Sequence, residues 1–365
     1  MTRPPIVEIG ARTPSDDLAQ RVRAALDAGE LVALPTETVY GIAARADHPE
    51  ALRRLTEVKG RPPELGYTWH VPDARALEPF ASLRPLTRRL AERFWPGPLT
   101  LVLEGVPKGL ELAARDGWTG VRAPAHDATR ELLAALSFPV VMTSANRHGE
   151  PPLVRAGEIA DRFAETLSLV VDGGASRLAE PSAVLRVGRG RFEVLRRGLL
   201  ELASLQRAAG LRIGFVCTGN TCRSPMAEVL ARGLLAERLG AREAGVGIER
   251  FGFEVGSMGL AASNGAPASP LAVDVCAARG IDLSPHRSRA ATPERMRDFE
   301  RIYAMTGAHL QGVRALLPPQ RTNSIELLDP RGADIPDPIG GVRADYERCL
   351  ERLTRALEER AADWA

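Results

Sequence analysis

The chain has 365 residues, which predicts two domains at roughly 150 residues each. Its hydrophobic content of 44% and charged content of 26% are ordinary for a globular protein. The net charge of +2 argues against a protein that coats nucleic acid, and no apolar run is long enough to predict a membrane span. Four cysteines do not predict a disulfide scaffold, and the N-terminus lacks the apolar core of a signal peptide, so we expect a cytoplasmic protein.

Helical and strand patterns alternate through the first half of the chain. Helical spacing of apolar residues predicts helices over residues 18–28 and 50–58, and a short helix over residues 199–209. Short apolar runs predict strands at 31–34, 99–103, 138–143, 167–172 and 192–195. Because a new strand pattern begins at residue 211, we expect a boundary that divides the chain into domains 1–208 and 209–365.

Strand patterns in the second half alternate with helical segments. The predicted strands lie at 211–216, 253–256, 301–305 and 324–328, and a helical tail is expected over 343–362. This alternation is typical of βαβ units, so it predicts a parallel sheet with helices on its faces.

The sequence Cys217-Thr-Gly-Asn-Thr-Cys-Arg-Ser224 joins the first of these strands to a helical pattern. A loop that opens onto a helix N-terminus gathers backbone N–H groups and the positive end of the helix dipole, which together form an anion pocket. A thiol at that place should favour its thiolate form. Arg223 can bind a phosphoryl group through two parallel hydrogen bonds. The pattern therefore predicts a cysteine-dependent phosphatase.

A phosphatase of this kind also needs a general acid, because the leaving group departs poorly without a proton. Asp337 is the candidate, since the prolines on both sides of it predict a stiff loop that could hold the carboxyl over the anion pocket.

With Cys-x5-Arg-Ser near its start and Asp-Pro near its end, the segment 211–365 resembles a low-molecular-weight protein phosphatase. The resemblance implies that Cys217 attacks phosphorus and becomes a phosphocysteine, while Arg223 and the loop N–H groups stabilise the equatorial oxygens. It implies that Asp337 protonates the leaving group and then activates water. The loop and its supporting residues would be Thr218, Gly219, Asn220, Thr221, Cys222, Ser224 and His286.

Thr221 and the two glycines after Asp337-Pro-Ile resemble the protein-arginine-phosphatase branch of that family. Tyrosine-specific members commonly have Ile or Leu at the first place and aromatic residues after Asp-Pro, which would stack on a phosphotyrosine ring. We therefore expect phosphoarginine as the substrate, with phosphotyrosine as the alternative. Two further alternatives stay open: an inactive phosphate-binding domain, and, for Cys222, either a reversible disulfide with Cys217 or a buried filling role.

Polar groups in the first half suit a nucleoside triphosphate and a small polar substrate. Lys59 and Arg61 place two cations on one loop, and Lys59 is one of only two lysines among 48 basic residues. Ser144 and Asn146 follow a predicted strand, at the end where α/β sheets usually bind ligands. No P-loop signature is present, and no residue cluster predicts a metal site of the protein's own.

Seven short motifs occur in a specific order in this half, and they resemble the YrdC family, that is, threonylcarbamoyl-adenylate synthase. They are Pro-Thr-Glu-Thr-Val-Tyr-Gly at 35–41, Lys-Gly-Arg-Pro at 59–62, Trp-Pro-Gly-Pro-Leu-Thr at 95–100, Arg-Ala-Pro at 122–124, Ser-Ala-Asn at 144–146, Pro-Ser-Ala-Val at 181–184 and Leu-Arg-Arg-Gly at 195–198. The family joins L-threonine, bicarbonate and ATP into threonylcarbamoyl-AMP and pyrophosphate.

The YrdC resemblance implies two sets of ligand-binding residues. ATP would be contacted by Lys59, Arg61, Ser144, Asn146 and Arg196, and threonine with its carbamate by Thr36, His70, Arg122 and Ser182. Mg²⁺ is expected with the triphosphate. The product would reach tRNA indirectly, through a downstream transferase complex. A non-catalytic RNA-binding module of the same fold is the alternative.

Together these patterns predict a bifunctional α/β enzyme without membrane partners. We expect a YrdC-like twisted mixed sheet with flanking helices in the N-terminal domain, and a doubly wound parallel sheet of the low-molecular-weight phosphatase type in the C-terminal domain.

Overall fold

A computed structural model describes residues 3–9, 13–60, 66–80, 84–188, 191–242, 246–318 and 324–364 of the chain. The chain divides into two compact units. One consists of Met1–Gly188 and Phe192–Leu205, and the other of Arg189–Arg191 and Gln206–Ala365. Among the described residues, no helix has both the length and the apolar character needed to cross a bilayer.

The first unit is built on one mixed sheet. Within its described residues the strands are β1 (Ile6–Glu8), β2 (Leu31–Leu34), β3 (Gly41–Arg45), β4 (Thr68–His70), β5 (Leu99–Glu104), β6 (Trp118–Arg122), β7 (Val140–Ser144), β8 (Leu167–Asp172), β9 (Ala183–Val187) and β10 (Phe192–Arg196). Their order in the sheet is β1-β8-β2-β3-β7-β4-β6-β5-β9-β10. The sheet contains parallel pairs, such as β2 with β8, and antiparallel pairs, such as β3 with β7, which confirms the predicted mixed sheet.

The helices of this unit cover the sheet. They are α1 (Asp16–Asp27), α2 (Pro49–Lys59), α3 (Pro85–Phe94), α4 (Asp127–Ala134) and α5 (Ala156–Arg162). The division between the two units falls within a further helix, α6 (Leu202–Ala209). Helix α1 begins where the Ser15 hydroxyl accepts a hydrogen bond from the Leu18 N–H, and it buries Leu18, Val22 and Leu26 on one face. Helix α2 ends at Gly60, whose φ of 59° is the left-handed conformation that glycine adopts without strain.

Strand β2 shows how the sheet separates two apolar cores. All four of its residues are buried, which agrees with the uninterrupted apolar run in the sequence. Leu31 and Ala33 join the core on one face, whereas Val32 and Leu34 join the core on the other. Two buried faces explain why this run does not alternate with polar residues.

The second unit has a smaller sheet whose strands all run parallel. In its described part the strands are β11 (Arg212–Cys217), β12 (Glu254–Gly259), β13 (Arg301–Ala304) and β14 (Ile325–Leu327), in the order β12-β11-β13-β14. Its helices are α7 (Arg223–Arg238), α8 (Pro270–Ala277), α9 (Pro293–Arg297), α10 (Gly307–Leu316) and α11 (Arg343–Arg360). The predicted parallel sheet and helical tail are confirmed.

The end of the chain is anchored in the core of this unit. The Trp364 side chain is 1% exposed, and its indole N–H donates to the Tyr303 hydroxyl at 3.0 Å. The rings of Phe215 and Tyr303 lie 6.4 and 5.8 Å from that of Trp364. Because Phe215 and Tyr303 belong to the central strands β11 and β13, the aromatic cluster ties the chain end to the sheet.

We expect Trp364→Ala to lower the free energy of unfolding of the second unit by about 3–5 kcal/mol, because the cavity it leaves forfeits both transfer and packing energy. Hydrogen exchange of the full chain, measured by mass spectrometry on peptides from β11 and β13, should show the loss of protection. Trp364→Phe should lose less, and unchanged protection in the alanine variant would show that the cluster does not stabilise the sheet.

Candidate active sites

The loop between β11 and α7 curls around the start of the helix. Asn220, in the middle of this loop, has a φ of 55° and is fully buried. Asparagine adopts this left-handed conformation more readily than most residues. Its side-chain amide donates to the hydroxyls of Ser224 (2.9 Å) and Ser257 (2.8 Å), and its Oδ1 accepts from the Arg289 N–H (2.8 Å). These bonds fix the turn of the loop.

Two further contacts hold the same loop from outside. His286 Nε2 lies 2.8 Å from the Asn220 carbonyl oxygen, so the side chain predicted to support the loop does contact it. Gly259, at the end of β12, lies so close that a Cβ there would be 2.4 Å from the Thr218 carbonyl oxygen. The loop can therefore approach β12 only because this residue is glycine.

Cys217 ends strand β11, and its side chain lies beneath the loop. Its Sγ lies 2.9 Å from the Ser224 hydroxyl and is 3% exposed. Ser224 Oγ accepts a hydrogen bond from Asn220, and its own proton has two acceptors within reach, the Cys217 sulfur at 2.9 Å and the Met258 carbonyl at 3.4 Å, of which the sulfur is the nearer. The Ser257 hydroxyl in turn donates to Glu228 Oε2 at 2.6 Å. A chain of oriented polar groups thus ends at the thiol.

Arg223 is the first residue of α7 and is almost completely buried. Its Nη1 donates to the Ile335 carbonyl at 3.2 Å, and its Nη2 forms an ion pair with Asp337. Its Nε is buried and has no hydrogen-bond partner among the described residues, although buried N–H groups nearly always have one. The geometry therefore brings Cys217, Arg223 and Asp337 to one cradle and leaves a donor for an anion.

The remaining loop residues have unequal environments. Thr221 is half-buried, and its carbonyl accepts from the Ser269 N–H at 2.8 Å. Cys222 Sγ lies 3.7 Å from the Thr221 hydroxyl and 3.6 Å from the Tyr346 hydroxyl. All four cysteines of the chain carry free thiols. Gly219 and Thr218 complete the loop, and Thr218 contacts His309 and Arg223.

Several residues that support this cradle were not predicted. Ser257, Tyr346 and His309 contact the loop or its side chains, and Glu228 accepts a hydrogen bond from Ser257. Ser257 lies near the carboxyl end of β12, the strand that pairs with β11, so its position at a strand end was a usable signal. The others contact the loop only through folding, and nothing in their local sequence marks them.

A cavity of about 530 Å³ in the first unit is lined by most of the predicted ligand-binding residues. These are Thr36, His70, Arg122, Ser144, Ser182 and Arg196. Lys59 is buried behind Ser144, where its Nζ donates to the Ser144 carbonyl (2.8 Å) and hydroxyl (2.9 Å) and to Asn146 Oδ1. Arg61, the other predicted cation of that loop, lies outside the described residues.

Arg122 is held in the wall of the cavity by a buried ion pair. Its Nη2 donates to Glu37 Oε1 (2.7 Å) and to the Thr38 hydroxyl (2.8 Å), and its Nε donates to the Gly97 carbonyl (3.2 Å). Glu37 Oε2 accepts from the Ala125 N–H at 2.9 Å. Burial lowers the pKa of Arg122, whereas the charge of Glu37 acts in the opposite direction. The fixed guanidinium still has Nη1, which makes none of these bonds, for a ligand.

His70 faces the same cavity as a neutral imidazole. Burial, together with the nearby Arg122 charge, lowers the pKa of His70 to about 3. Its Nδ1 lies 3.0 Å from the Thr68 carbonyl oxygen, an acceptor, so the ring proton belongs on Nδ1 and Nε2 is left as an acceptor. The side chain can therefore accept a hydrogen bond from a ligand but adds no charge.

Arg196 and Ser182 form the opposite part of the wall. Arg196 donates from Nε to the Ser182 carbonyl (3.0 Å) and from Nη2 to its hydroxyl (3.2 Å), and Ser182 Oγ lies 2.9 Å from the Thr100 hydroxyl. Burial lowers the pKa of Arg196. Lining residues that lie outside the motifs include Tyr67, Thr68, Arg115, Asp116 and Trp118.

Family models match both halves of the chain. The Sua5/YciO/YrdC model, described as telomere recombination, matches residues 24–198, and the model of low molecular weight phosphotyrosine protein phosphatases matches residues 212–363. A solved structure, the YwlE arginine phosphatase from Geobacillus stearothermophilus, is 31% identical with a TM-score of 0.35, over 41% of this chain and 90% of that chain.

Curated relatives match the first half. Threonylcarbamoyl-AMP synthase of Pyrococcus abyssi is 37% identical over 190 residues, which are 50% of this chain and 54% of the relative. The protein of the same name from Chromohalobacter salexigens is 39% identical over 186 residues, which are 50% of this chain and 98% of the relative. This chain thus spans little more than half the length of the Pyrococcus protein. It belongs to the threonylcarbamoyl-AMP synthase family through its first half, and its second half is a domain of the low molecular weight phosphatase type.

Proposed function

We propose that this chain is a bifunctional enzyme. Its N-terminal domain would form threonylcarbamoyl-AMP from L-threonine, bicarbonate and ATP, and its C-terminal domain would dephosphorylate phosphoproteins through a phosphocysteine. The observation that carries the second activity is the buried Arg223 Nε without a partner, in the same cradle as the Cys217 thiol. We place the functional boundary near residue 208.

In the first step of the phosphatase reaction, the Cys217 thiolate attacks phosphorus and the bond to the leaving group breaks. The Ser224 hydroxyl, 2.9 Å from the sulfur, stabilises the thiolate by donating to it. The phosphoryl group takes the place of the Asp337 carboxylate at Arg223, with Nε and Nη2 as its two donors. Asp337, released from the ion pair, takes up a proton from solvent and gives it to the leaving group as the bond to phosphorus breaks.

In the second step, water attacks the phosphocysteine. Asp337, now a carboxylate, takes the proton from water, the P–S bond breaks, and inorganic phosphate and the thiolate are formed. Asp337 suits both roles because its side chain is 37% exposed and lies on the rim of the cradle, whereas Arg223 is buried beneath it.

Phosphoarginine is the substrate that the rim of the cradle favours. The Thr221 hydroxyl offers a polar contact for a guanidinium, where an aliphatic side chain would favour an aromatic ring. The segment after Asp337 carries Ile339, which is 65% exposed, and two glycines, so it presents no aromatic wall for a tyrosine ring.

The synthase reaction takes place in two bond-forming steps. The amine of threonine adds bicarbonate with loss of water, and the resulting carbamate oxygen attacks the α-phosphorus of ATP, which releases pyrophosphate. The cavity of about 530 Å³ holds three fixed donors for such ligands, in Arg122, Arg196 and Ser182. Their positions are set by hydrogen bonds to the protein, so catalysis would come from alignment and from neutralised charge.

Mg²⁺ would enter this cavity with the triphosphate. The described residues contain no group of three or more His, Cys, Asp and Glu side chains that could hold a metal ion, and Asp116 is the carboxylate among the residues that line the cavity. The donors therefore fit a metal held mainly by phosphate oxygens. When bound, it would neutralise the charge of the departing pyrophosphate.

The synthase product would reach tRNA through a downstream transferase complex. We infer no chemical coupling between the two activities, and we expect the protein to work in the cytoplasm.

Cys217→Ser should abolish phosphatase turnover, with a loss of roughly a thousandfold or more, because a hydroxyl there is a far weaker nucleophile. It should leave threonine-dependent pyrophosphate release unchanged. The matched control is Cys276→Ser, which alters a buried thiol on α8 away from the loop. If the wild-type chain binds inorganic phosphate without turnover, the second unit is an inactive binding domain.

Thr221→Ile should raise the ratio of phosphotyrosine to phosphoarginine turnover by about tenfold, because it replaces a polar contact by an apolar one. The measurement is kcat/KM for a phosphotyrosine peptide and a phosphoarginine peptide with each protein. An unchanged ratio would show that Thr221 does not determine the substrate specificity. A wild-type preference for phosphotyrosine would favour the tyrosine-phosphatase alternative.

Lys59→Met should slow pyrophosphate release by about a hundredfold, because an ammonium group that holds Ser144 and Asn146 beside the phosphates is lost. The assay contains threonine, bicarbonate and ATP. Lys108→Met, at an exposed position, removes the chain's other lysine and should have no effect. Equal rates for the two variants would contradict the proposed ATP site, and RNA binding without pyrophosphate release would favour the RNA-binding alternative.

A further inference from the structure

His309 lies on α10 and contacts the phosphate loop. This contact is on the side of the loop opposite to the contact of His286. Its Nε2 lies 2.8 Å from the Thr218 hydroxyl, and its Nδ1 lies 2.7 Å from the hydroxyl of Thr306, the N-cap residue of α10. His309 is 7% exposed, so both ring nitrogens have been removed from water and need these partners.

Thr218 connects this histidine to the arginine of the cradle. Arg223 Nη2, the nitrogen that pairs with Asp337, also lies 3.5 Å from the Thr218 hydroxyl oxygen. The loop that carries Asp337 is tied to the same end of α10, because Asp334 Oδ1 accepts from the Gly307 N–H (2.8 Å) and the Ile335 N–H donates to the Met305 carbonyl (2.8 Å). The start of α10 thus contacts both the general-acid loop and the phosphate loop.

The direction of the hydrogen bonds follows from what each group can donate. If the ring proton is on Nε2, Thr306 donates to Nδ1 and His309 donates to Thr218. Thr218 Oγ1 then accepts from His309 and from Arg223, and its own proton is left for an acceptor in the cradle. With the proton on Nδ1, the Thr306 proton would have no acceptor among these groups. The first arrangement gives each of these donors a partner within the site once an anion is bound.

We propose that His309 is a positioning residue of the phosphatase site, which directs the Thr218 hydroxyl to donate to a phosphoryl oxygen. The proposal rests on the phosphatase function proposed above. Burial and the charge of Arg223 lower the pKa of His309, while Asp337 and Asp334 act in the opposite direction, so the neutral ring with a single N–H is favoured. The phosphoryl group gains a donor in addition to the guanidinium and the loop amides.

The test compares His309→Leu, His309→Gln, Thr218→Val and the double variant His309→Leu with Thr218→Val in the full chain. Calorimetric titration with inorganic phosphate measures binding, and hydrolysis of para-nitrophenyl phosphate measures kcat and KM. His309→Leu should weaken phosphate binding by about three- to tenfold, which is the loss expected for one hydrogen bond. His309→Gln, whose amide N–H can replace Nε2–H, should restore most of that affinity.

A double-mutant cycle separates this role from simple packing. If His309 acts through Thr218, the double variant should bind phosphate no more weakly than Thr218→Val alone. The control is Thr354→Val, which removes a half-buried hydroxyl that bonds only within α11, to the Leu350 carbonyl. Additive losses, or a glutamine variant as weak as the leucine variant, would overturn the inference. Phosphate binding without hydrolysis by the wild-type chain would instead overturn the proposed function.

Discussion

The hydrogen bonds of one buried asparagine determine the shape of the phosphate loop. Asn220 adopts a left-handed backbone conformation, and its side chain reaches two serine hydroxyls and the backbone of the His286 segment. A loop that turns in this way directs its N–H groups to a common centre. The same amide orients the Ser224 hydroxyl toward the Cys217 sulfur. The anion cradle and the environment of Cys217 therefore depend on a single buried side chain.

In the first unit, a buried ion pair rather than backbone shape fixes the orientation of a side chain in the cavity wall. Arg122 is buried, and Glu37 lies 2.7 Å away as its counter-ion. A buried cation is costly unless it is paired and hydrogen-bonded, and each end of this pair has additional partners. The pair keeps the guanidinium in one orientation before any ligand arrives. In both units, the groups that we propose bind ligands are fixed in place by neighbouring side chains.

Much of the fold could be predicted from the sequence, because its signals are local. The uninterrupted apolar run at 31–34 and the strands that alternate with helices after residue 211 led to the observed sheets. Strands β1, β3, β4, β6 and β9 of the first unit were missed. In β3 the reason is that Gly41–Arg45 follows a polar loop and contains small residues with little strand propensity.

In the candidate sites too, residues in local motifs could be predicted from the sequence, whereas contacts between distant residues could not. Cys217, Arg223 and Asp337 belong to short motifs, and the structure brings them together. The contacts of His309 with Thr218 and of Glu37 with Arg122 join residues 91 and 85 positions apart, so only the tertiary fold could reveal them.

The ion pair between Arg223 and Asp337 means that the cradle contains an anion of its own. An incoming molecule must compete with a tethered carboxylate, whose effective concentration is high because it belongs to the same chain. Small metabolites with a single negative charge are poor competitors under these conditions, whereas a phosphoryl dianion gains from two guanidinium donors and the ring of amides together. If the proposed phosphatase function holds, this ion pair selects ligands by charge before any chemistry begins.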